Sequence, residues 1–161
     1  MWQDTCLILT TDHGFLLGEH DWWSKNRMPV FDEISRIPLM VYHPEFADQS
    51  GTRRKSLTQS IDIMPTIMDI HDHTIPEDVS GKSLIPLLAE DSPVRSTAMF
   101  GYFGAACNIT DGTHVYHRYP ENLSADGLYE YTLMPTRMTS RFPISDLVGA
   151  TLTDPFKFTK G

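Results

Sequence analysis

Cysteine is scarce in this chain, and basic residues and long apolar runs are scarce too. The 161 residues include two cysteines, Cys6 and Cys107, and neither lies in a CxxC or zinc-type spacing. A disulfide framework and a cysteine-based zinc site are therefore not expected. Lys and Arg number 13 against 21 Asp and Glu, which gives a formal net charge of −8. Without a basic stripe, neither nucleic acid nor a membrane surface is expected as a partner.

No apolar run is long enough to cross a bilayer, and no signal-peptide pattern starts at Met1. The default expectation is therefore a soluble, cytoplasmic chain. An apolar fraction of 40% at this length is typical of a globular protein with a real core.

Two short apolar segments predict strands. Residues 5–11 form a nearly continuous apolar and β-branched run that ends at Asp12-His13-Gly14, and residues 37–44 form a second run bounded by prolines. Such runs are typical of strands buried on both faces of a parallel sheet, which predicts an α/β architecture.

The rest of the chain predicts helices followed by a β-rich part. Residues 60–70 fit a helix capped by Ser60 or Asp62, and residues 83–88 fit a short helix. From residue 97 onward, apolar segments flank Asp111-Gly112, a strong hairpin signal. We therefore predict an α/β part over 1–96 and a small β-rich subdomain with an irregular tail over 97–161.

The loop after the first predicted strand carries the residues best suited to chemistry. Asp12 and His13 stand where the strand ends, and ligands gather at the carboxyl ends of strands in such sheets. A carboxylate oxygen and an imidazole nitrogen are suitable ligands for a divalent cation. Gly14 would let the backbone turn sharply beside them. Taken alone, the tripeptide is equally compatible with a helix cap or a turn.

A longer series of motifs gives this loop a family context. In order they are Thr-Asp-His-Gly (11–14), Leu-Gly-Glu-His (17–20), Trp-Ser-Lys (23–25), Phe-Asp-Glu (31–33) and Arg-Ile-Pro-Leu (36–39). Together they resemble the downstream half of the sulfatase family, in the alkaline-phosphatase-like superfamily. Segments 60–66, 76–84 and 86–88 are similar to the helix that follows in that family and to the segment after it.

The resemblance implies roles for individual residues. Asp12 and His13 would be two ligands of an active-site divalent metal, usually calcium in sulfatases, while the imidazole leaves manganese or magnesium open. Lys25 would be catalytic, contacting the sulfate and the leaving-group oxygen. A hard cation and an ammonium together neutralise a sulfuryl group, which is the main requirement of such catalysis. His20 would either bind substrate or order its loop, with ordering preferred.

The resemblance also implies a fold and a substrate class. The fold would be the C-terminal part of the mixed sheet of an alkaline-phosphatase-like sulfatase, with a helix and a small C-terminal β subdomain. The substrate would be a small-molecule or carbohydrate sulfate ester. Two further pairings are expected from the residues: Glu33 with Arg36, and His114 with His117 on one face of a hairpin strand.

The chain departs from the family in one respect that concerns the reaction. The nucleophile of a sulfatase is a formylglycine made within a Cys-x-Pro-Ser-Arg type motif, and neither Cys6 nor Cys107 stands in one. We therefore expect a fragment whose nucleophile and remaining ligands lie in a missing N-terminal part, inactive by itself. A phosphonate monoester or phosphodiester hydrolase of the same superfamily and a non-catalytic remnant are the alternatives.

The same absence concerns the sheet. Lost sheet neighbours would expose an edge around Leu7, Ile8 and Leu9, which predicts self-association.

Overall fold

The computed structural model describes residues 1–25, 29–102, 106–121, 129–132, 145, 148 and 156–159. The chain divides into two compact units, and the first comprises Met1–Tyr102 and Ala106–Tyr119. This first unit contains every residue for which a site role is predicted. The predicted division between residues 96 and 97 stays a prediction.

The first two predicted strands form a two-stranded antiparallel ribbon. Strand β1 (Leu7–Thr10) pairs with β4 (Leu39–Tyr42), and Leu9 lies opposite Met40. The expectation of strands buried on both faces of a parallel sheet is wrong for the described residues, because one face of this ribbon is exposed. An apolar run indicates a strand but carries no information about the direction of its partner.

The long segment between these strands contains a hairpin and a short helix. Strands β2 (Leu16–Leu17) and β3 (Trp23–Ser24) form a small antiparallel hairpin, and the short helix α1 (Asp32–Ser35) follows. Leu16, Val30 and Ile34 make a buried cluster beneath the loop. Phe31, Phe100 and Tyr102 pack against that cluster. A loop with its own apolar anchor can hold side chains in fixed positions.

The predicted helix over 60–70 is present but begins later than expected. A 3₁₀ turn at Ser60–Asp62 precedes α2 (Ile63–Ile70), and α3 (Ile85–Glu90) follows. Asp62, one of the two predicted caps, is the N-cap residue of α2, and Gln59 is the N-cap residue of the preceding turn. The Gln59 N–H donates to the Asp62 carboxylate at 2.7 Å.

Asp62 is fully buried and joins several segments. Its two carboxylate oxygens accept hydrogen bonds from both terminal nitrogens of Arg95. It also accepts from the backbone N–H of Lys82 at 2.9 Å, in addition to the bond from Gln59. Nothing in the sequence pattern indicates this ion pair, since Asp62 also fits a helix cap.

The predicted hairpin is confirmed. Strands β5 (Ala98–Gly101), β6 (Cys107–Thr110) and β7 (Val115–Arg118) form an antiparallel sheet in that order. The turn between β6 and β7 contains Gly112, whose positive φ of 89° favours glycine. The expected common face of His114 and His117 is wrong, because His114 precedes β7 and bonds Asp111. Positions three apart in a strand face opposite sides.

In the second unit, β8 (Tyr129–Thr132) pairs antiparallel with β9 (Phe156–Thr159). Across the part of the chain that the structure describes, no helix combines the length and the apolar character needed to cross a membrane.

Candidate functional site

The structure brings Asp12, His13 and Lys25 together at one point. Lys25 Nζ lies 2.7 Å from His13 Nε2, and Asp12 Oδ2 lies 3.3 Å from the same ring nitrogen. The His13 side chain is 35% exposed and that of Asp12 82% exposed, so the cluster opens to solvent. These three residues, predicted from their motifs to share a site, are therefore neighbours.

The protonation of His13 follows from its contacts. Its Nδ1 lies 2.9 Å from the carbonyl oxygen of Gly14, which can only accept, so Nδ1 carries the proton. In the neutral ring, Nε2 then has a free lone pair that accepts from the Lys25 ammonium. Asp12 Oδ2 is a second acceptor beside it. Two acceptors that point at one place with no proton between them are suited to a cation.

Hydrogen bonds keep the Asp12 carboxyl ionised. The pKa of Asp12 lies below its usual value: desolvation raises it, but other contributions outweigh that effect. These are hydrogen bonds from backbone N–H groups, including that of His13 at 3.0 Å from Oδ1, and from the Thr11 hydroxyl at 3.2 Å. An ionised carboxylate is the form that binds a metal.

Gly14 fixes the cluster to α1. Its N–H donates to the carbonyl of Ile34 at 2.8 Å, and a Cβ at this position would lie 1.7 Å from the carbonyl oxygen of Glu33. Glycine is therefore required by the close approach of the α1 backbone, whereas the sequence suggested a sharp turn as the reason. The position of His13 depends on this contact.

Lys25 is positioned by the hairpin and by a residue from the distant sheet. It follows directly after β3, and its carbonyl accepts a hydrogen bond from the hydroxyl of Tyr102. Tyr102 comes just after β5 and was not singled out from the sequence. A lone aromatic at the end of a predicted strand gives no signal for such a contact.

His20 is held firmly within the loop. It adopts a left-handed conformation with φ of 56°, and its ring stacks on Phe31 with centroids 3.7 Å apart. Its Nε2 lies 3.2 Å from Glu33 Oε2. The expected pair of Glu33 with Arg36 is therefore wrong, because Glu33 faces His20 and Arg36 lies 4.0 Å from Asp32. These contacts agree with a loop-ordering role for His20, and substrate binding stays a prediction.

The donor set for a metal is incomplete in the described residues. Among them, no group of three or more His, Cys, Asp or Glu side chains is placed to hold one ion. Asp12 and His13, the predicted ligands, would supply two donors, whereas a hard divalent cation takes six or more.

Comparisons with known proteins identify the family of this chain. The family model for "N-sulphoglucosamine sulphohydrolase, C-terminal" matches residues 18–121, which is more than half of the chain. An N-acetylglucosamine-6-O-sulfatase of Bacteroides thetaiotaomicron is 32% identical over 105 residues, covering 63% of this chain and 18% of that protein.

Two solved structures share the fold. One is the structure of a protein in complex with its substrate, D-glucosamine-2-N,6-O-disulfate. It gives a TM-score of 0.51 and 28% identity, and the match covers 68% of this chain and 24% of that protein. A phosphonate monoester hydrolase from Silicibacter pomeroyi gives a TM-score of 0.59, 28% identity, and coverage of 73% and 27%.

The fold is that of the alkaline-phosphatase-like sulfatases, a class of hydrolases, as predicted. The chain belongs to the sulfatase family and corresponds to the C-terminal portion of its members. It spans 18% of the length of the N-acetylglucosamine-6-O-sulfatase and 24% of the protein in the substrate complex.

Proposed function

We propose that this chain carries part of the sulfate-ester site of a sulfatase that acts on a small-molecule or carbohydrate sulfate. The observation that supports the proposal is the cluster of Asp12, His13 and Lys25. Lys25 Nζ lies 2.7 Å from His13 Nε2, beside the Asp12 carboxylate. A carbohydrate sulfate is favoured because a structural neighbour binds a glucosamine disulfate.

The residues fit two ligands of a divalent cation, with calcium preferred and manganese or magnesium allowed. Asp12 Oδ2 and His13 Nε2 are both acceptors and lie 3.3 Å apart, a separation suited to binding one ion. A bound metal would neutralise negative charge on the sulfuryl oxygens. Further ligands would have to come from outside the described residues.

Lys25 would bind the anion. Its ammonium contacts His13, and a sulfate oxygen beside the cation would offer it a charge-assisted hydrogen bond. Close to the leaving-group oxygen, the same ammonium would stabilise the negative charge that develops there. The Nδ1–H of His13 would go on donating to the Gly14 carbonyl when metal and sulfate are bound, so that Nε2 stays an acceptor.

The nucleophile would come from outside these 161 residues. The chain contains no Cys-x-Pro-Ser-Arg motif from which a formylglycine could be made. Without an aligned nucleophile and a closed metal shell, the chain alone cannot position sulfuryl transfer. We therefore infer that it is inactive by itself.

The exposed ribbon face supports a second part of the proposal. Leu7, Leu9 and Met40 are 47%, 53% and 60% exposed, and Leu9 lies opposite Met40 in the antiparallel pair. Apolar surface of this kind favours association. We infer that the ribbon self-associates in the isolated chain.

Sulfate binding tests the role of Lys25 directly. In the presence of calcium, titration of inorganic sulfate followed by NMR should show binding that weakens at least fivefold in Lys25→Ala. Lys55→Ala is the matched control, since Lys55 is an exposed lysine outside the cluster. Equal affinities of the wild type and Lys25→Ala would contradict the proposal.

Turnover assays test inactivity and the alternative activity together. The chain is incubated with a chromogenic aryl sulfate and with a phosphonate ester, first with calcium and then with manganese. No metal-dependent turnover above the Lys25→Ala background is expected. Turnover of either ester would contradict the inferred inactivity, and preference for the phosphonate would favour the phosphonate hydrolase alternative.

A further inference from the structure

A pocket of about 370 Å³ lies between the segment that enters α1 and strand β7. Its walls combine apolar and polar side chains, among them His20, Val30, Phe31, Glu33, Val115 and His117. None of the roles assigned above involves its β7 wall. The pocket therefore offers a binding surface beyond the Asp12, His13 and Lys25 cluster.

The β7 wall of the pocket contains His117, whose ring orientation is fixed by two neighbouring side chains. Asn108 is fully buried, and its Oδ1 accepts from His117 Nδ1 at 2.8 Å. The ring of Phe100 packs edge-on against His117, with centroids 6.4 Å apart. Because His117 donates its Nδ1 proton to Asn108, its Nε2 can accept a hydrogen bond from a ligand.

Burying Asn108 has a cost that its packing does not explain. Its Nδ2 has no hydrogen-bond partner among the described residues, although the atom is buried. A buried unpaired amide is unfavourable, so an apolar residue would serve the core better. The one described contact that an apolar residue could not make is the hydrogen bond that orients His117.

The opposite wall is also preorganised. The His20 ring is stacked on Phe31, and its Nε2 lies 3.2 Å from Glu33 Oε2. Val30 and Val115 add apolar surface. Separated polar atoms around apolar surface suit a sugar ring, which presents C–H faces and hydroxyl edges. The Glu33 carboxylate disfavours a second sulfate group here.

The pocket adjoins the cluster through the α1 backbone. The carbonyl of Glu33 approaches Gly14 so closely that a Cβ there would lie 1.7 Å from the oxygen. Gly14 directly follows His13. Glu33, which lines the pocket, is thus in backbone contact with the residue that follows His13 in the cluster.

We propose that this pocket binds the unsulfated, hydroxyl-bearing part of the sugar whose sulfate is held at Lys25, with His117 as a specificity-determining residue. This inference rests on the proposed sulfatase function. Nε2 of His117 accepts a hydrogen bond from a sugar hydroxyl, and Asn108 is the positioning residue behind it.

The test compares three probes on the 161-residue chain with calcium: D-glucosamine 6-sulfate, unsulfated D-glucosamine and inorganic sulfate. In His117→Phe, affinity for the sulfated sugar should fall at least fivefold, while affinity for inorganic sulfate stays unchanged. His114→Phe is the matched control, because His114 lies on the same hairpin but outside the pocket. In wild type, the His117 imidazole ¹⁵N resonances should shift with glucosamine 6-sulfate and not with inorganic sulfate.

The outcomes separate the inference from the function on which it rests. If His117→Phe binds the sulfated sugar as wild type does, or the His117 resonances stay unmoved, the pocket inference is wrong while the Lys25 site stands. If the wild-type chain binds none of the sugars, the inference is likewise overturned. If Lys25→Ala alters the binding of no probe, the proposed function itself fails.

Discussion

The ammonium of Lys25 reaches back across twelve residues to the imidazole of His13, 2.7 Å from Nε2. In the folded chain, this ammonium occupies the position from which a bound metal cation would interact with the Nε2 lone pair of His13. A divalent metal held by His13 would take the place of the Lys25 ammonium at this lone pair, and the ammonium would then be free to bind an anion. Cation and sulfate binding should accordingly support one another.

Asp12→Asn should weaken binding of a divalent cation. With Asp12 and His13 as the proposed ligands, we expect a Kd of about 1 mM for the wild type, and loss of the carboxylate charge should weaken binding severalfold further. Calorimetric titration with calcium and manganese measures this. Asp21→Asn is the control, since Asp21 is exposed and its left-handed backbone tolerates asparagine. If both variants bind like wild type, Asp12 is not a ligand.

Gly14→Ala should destabilise the first unit by about 1–3 kcal/mol, because the new methyl group would overlap the Glu33 carbonyl. Urea unfolding followed by tryptophan fluorescence measures the change. Gly51→Ala provides a comparison, since Gly51 has a positive φ but open space around its α-carbon. We expect Gly51→Ala to cost about 1 kcal/mol. A Gly14→Ala chain as stable as wild type would show that the contact with α1 is dispensable.

Asp62→Ala should be the most destabilising substitution discussed, at about 3–5 kcal/mol. The change leaves Arg95, whose side chain is 11% exposed, without its partner and frees two backbone N–H groups. Asp32→Ala removes the exposed 4.0 Å pair with Arg36 and should cost no more than about 1 kcal/mol. Chemical unfolding of both variants gives the comparison. Similar losses would contradict the structural role of Asp62.

The turn of the β6–β7 hairpin should lose stability in acid. Backbone N–H groups of His114 and Thr113 lower the pKa of Asp111 from 3.8 to about 2. A carboxyl with a depressed folded-state pKa stabilises the fold above pH 3.8, and this contribution is lost as the pH falls through 2. The stability difference between wild type and Asp111→Ala should therefore shrink between pH 5 and pH 2. A constant difference would argue against the charge as its cause.

Leu9→Lys should reduce self-association of the isolated chain. Leu9 and Met40 are cross-strand neighbours on the exposed ribbon, and a charge there opposes apolar contact between copies. Sedimentation of the wild type and of Leu9→Lys at several concentrations measures mass directly. Ile109→Lys is the control, because Ile109 is a partly exposed apolar residue of the other sheet. A wild-type chain that stays monomeric would contradict the inference.

Much of the candidate site could be predicted because its information is local. Asp12, His13 and Lys25 stand in short motifs that resemble those of the sulfatase family, and that resemblance grouped them before any geometry was known. The hairpin around Gly112 was equally local, since turn chemistry determines it. The roles of the three site residues stay predictions.

The remaining contacts depend on chain segments that meet only in the fold. The pairing of Glu33 with His20 rather than with Arg36 follows from the way the loop packs on α1. Asp62 and Arg95 are 33 residues apart, and neither lies in a pattern that indicates its partner. The antiparallel direction of β1 and β4 is likewise invisible in an apolar run.

Asp62 also determines how the first unit should open. One carboxylate binds the backbone before α2, the backbone of Lys82 and the guanidinium of Arg95. Separating any of these segments from the others would expose the buried Asp62 carboxylate or leave it without a partner. Amide protons of α2 and of the segment after Gly81 should therefore exchange with solvent in one shared opening event rather than by independent fraying.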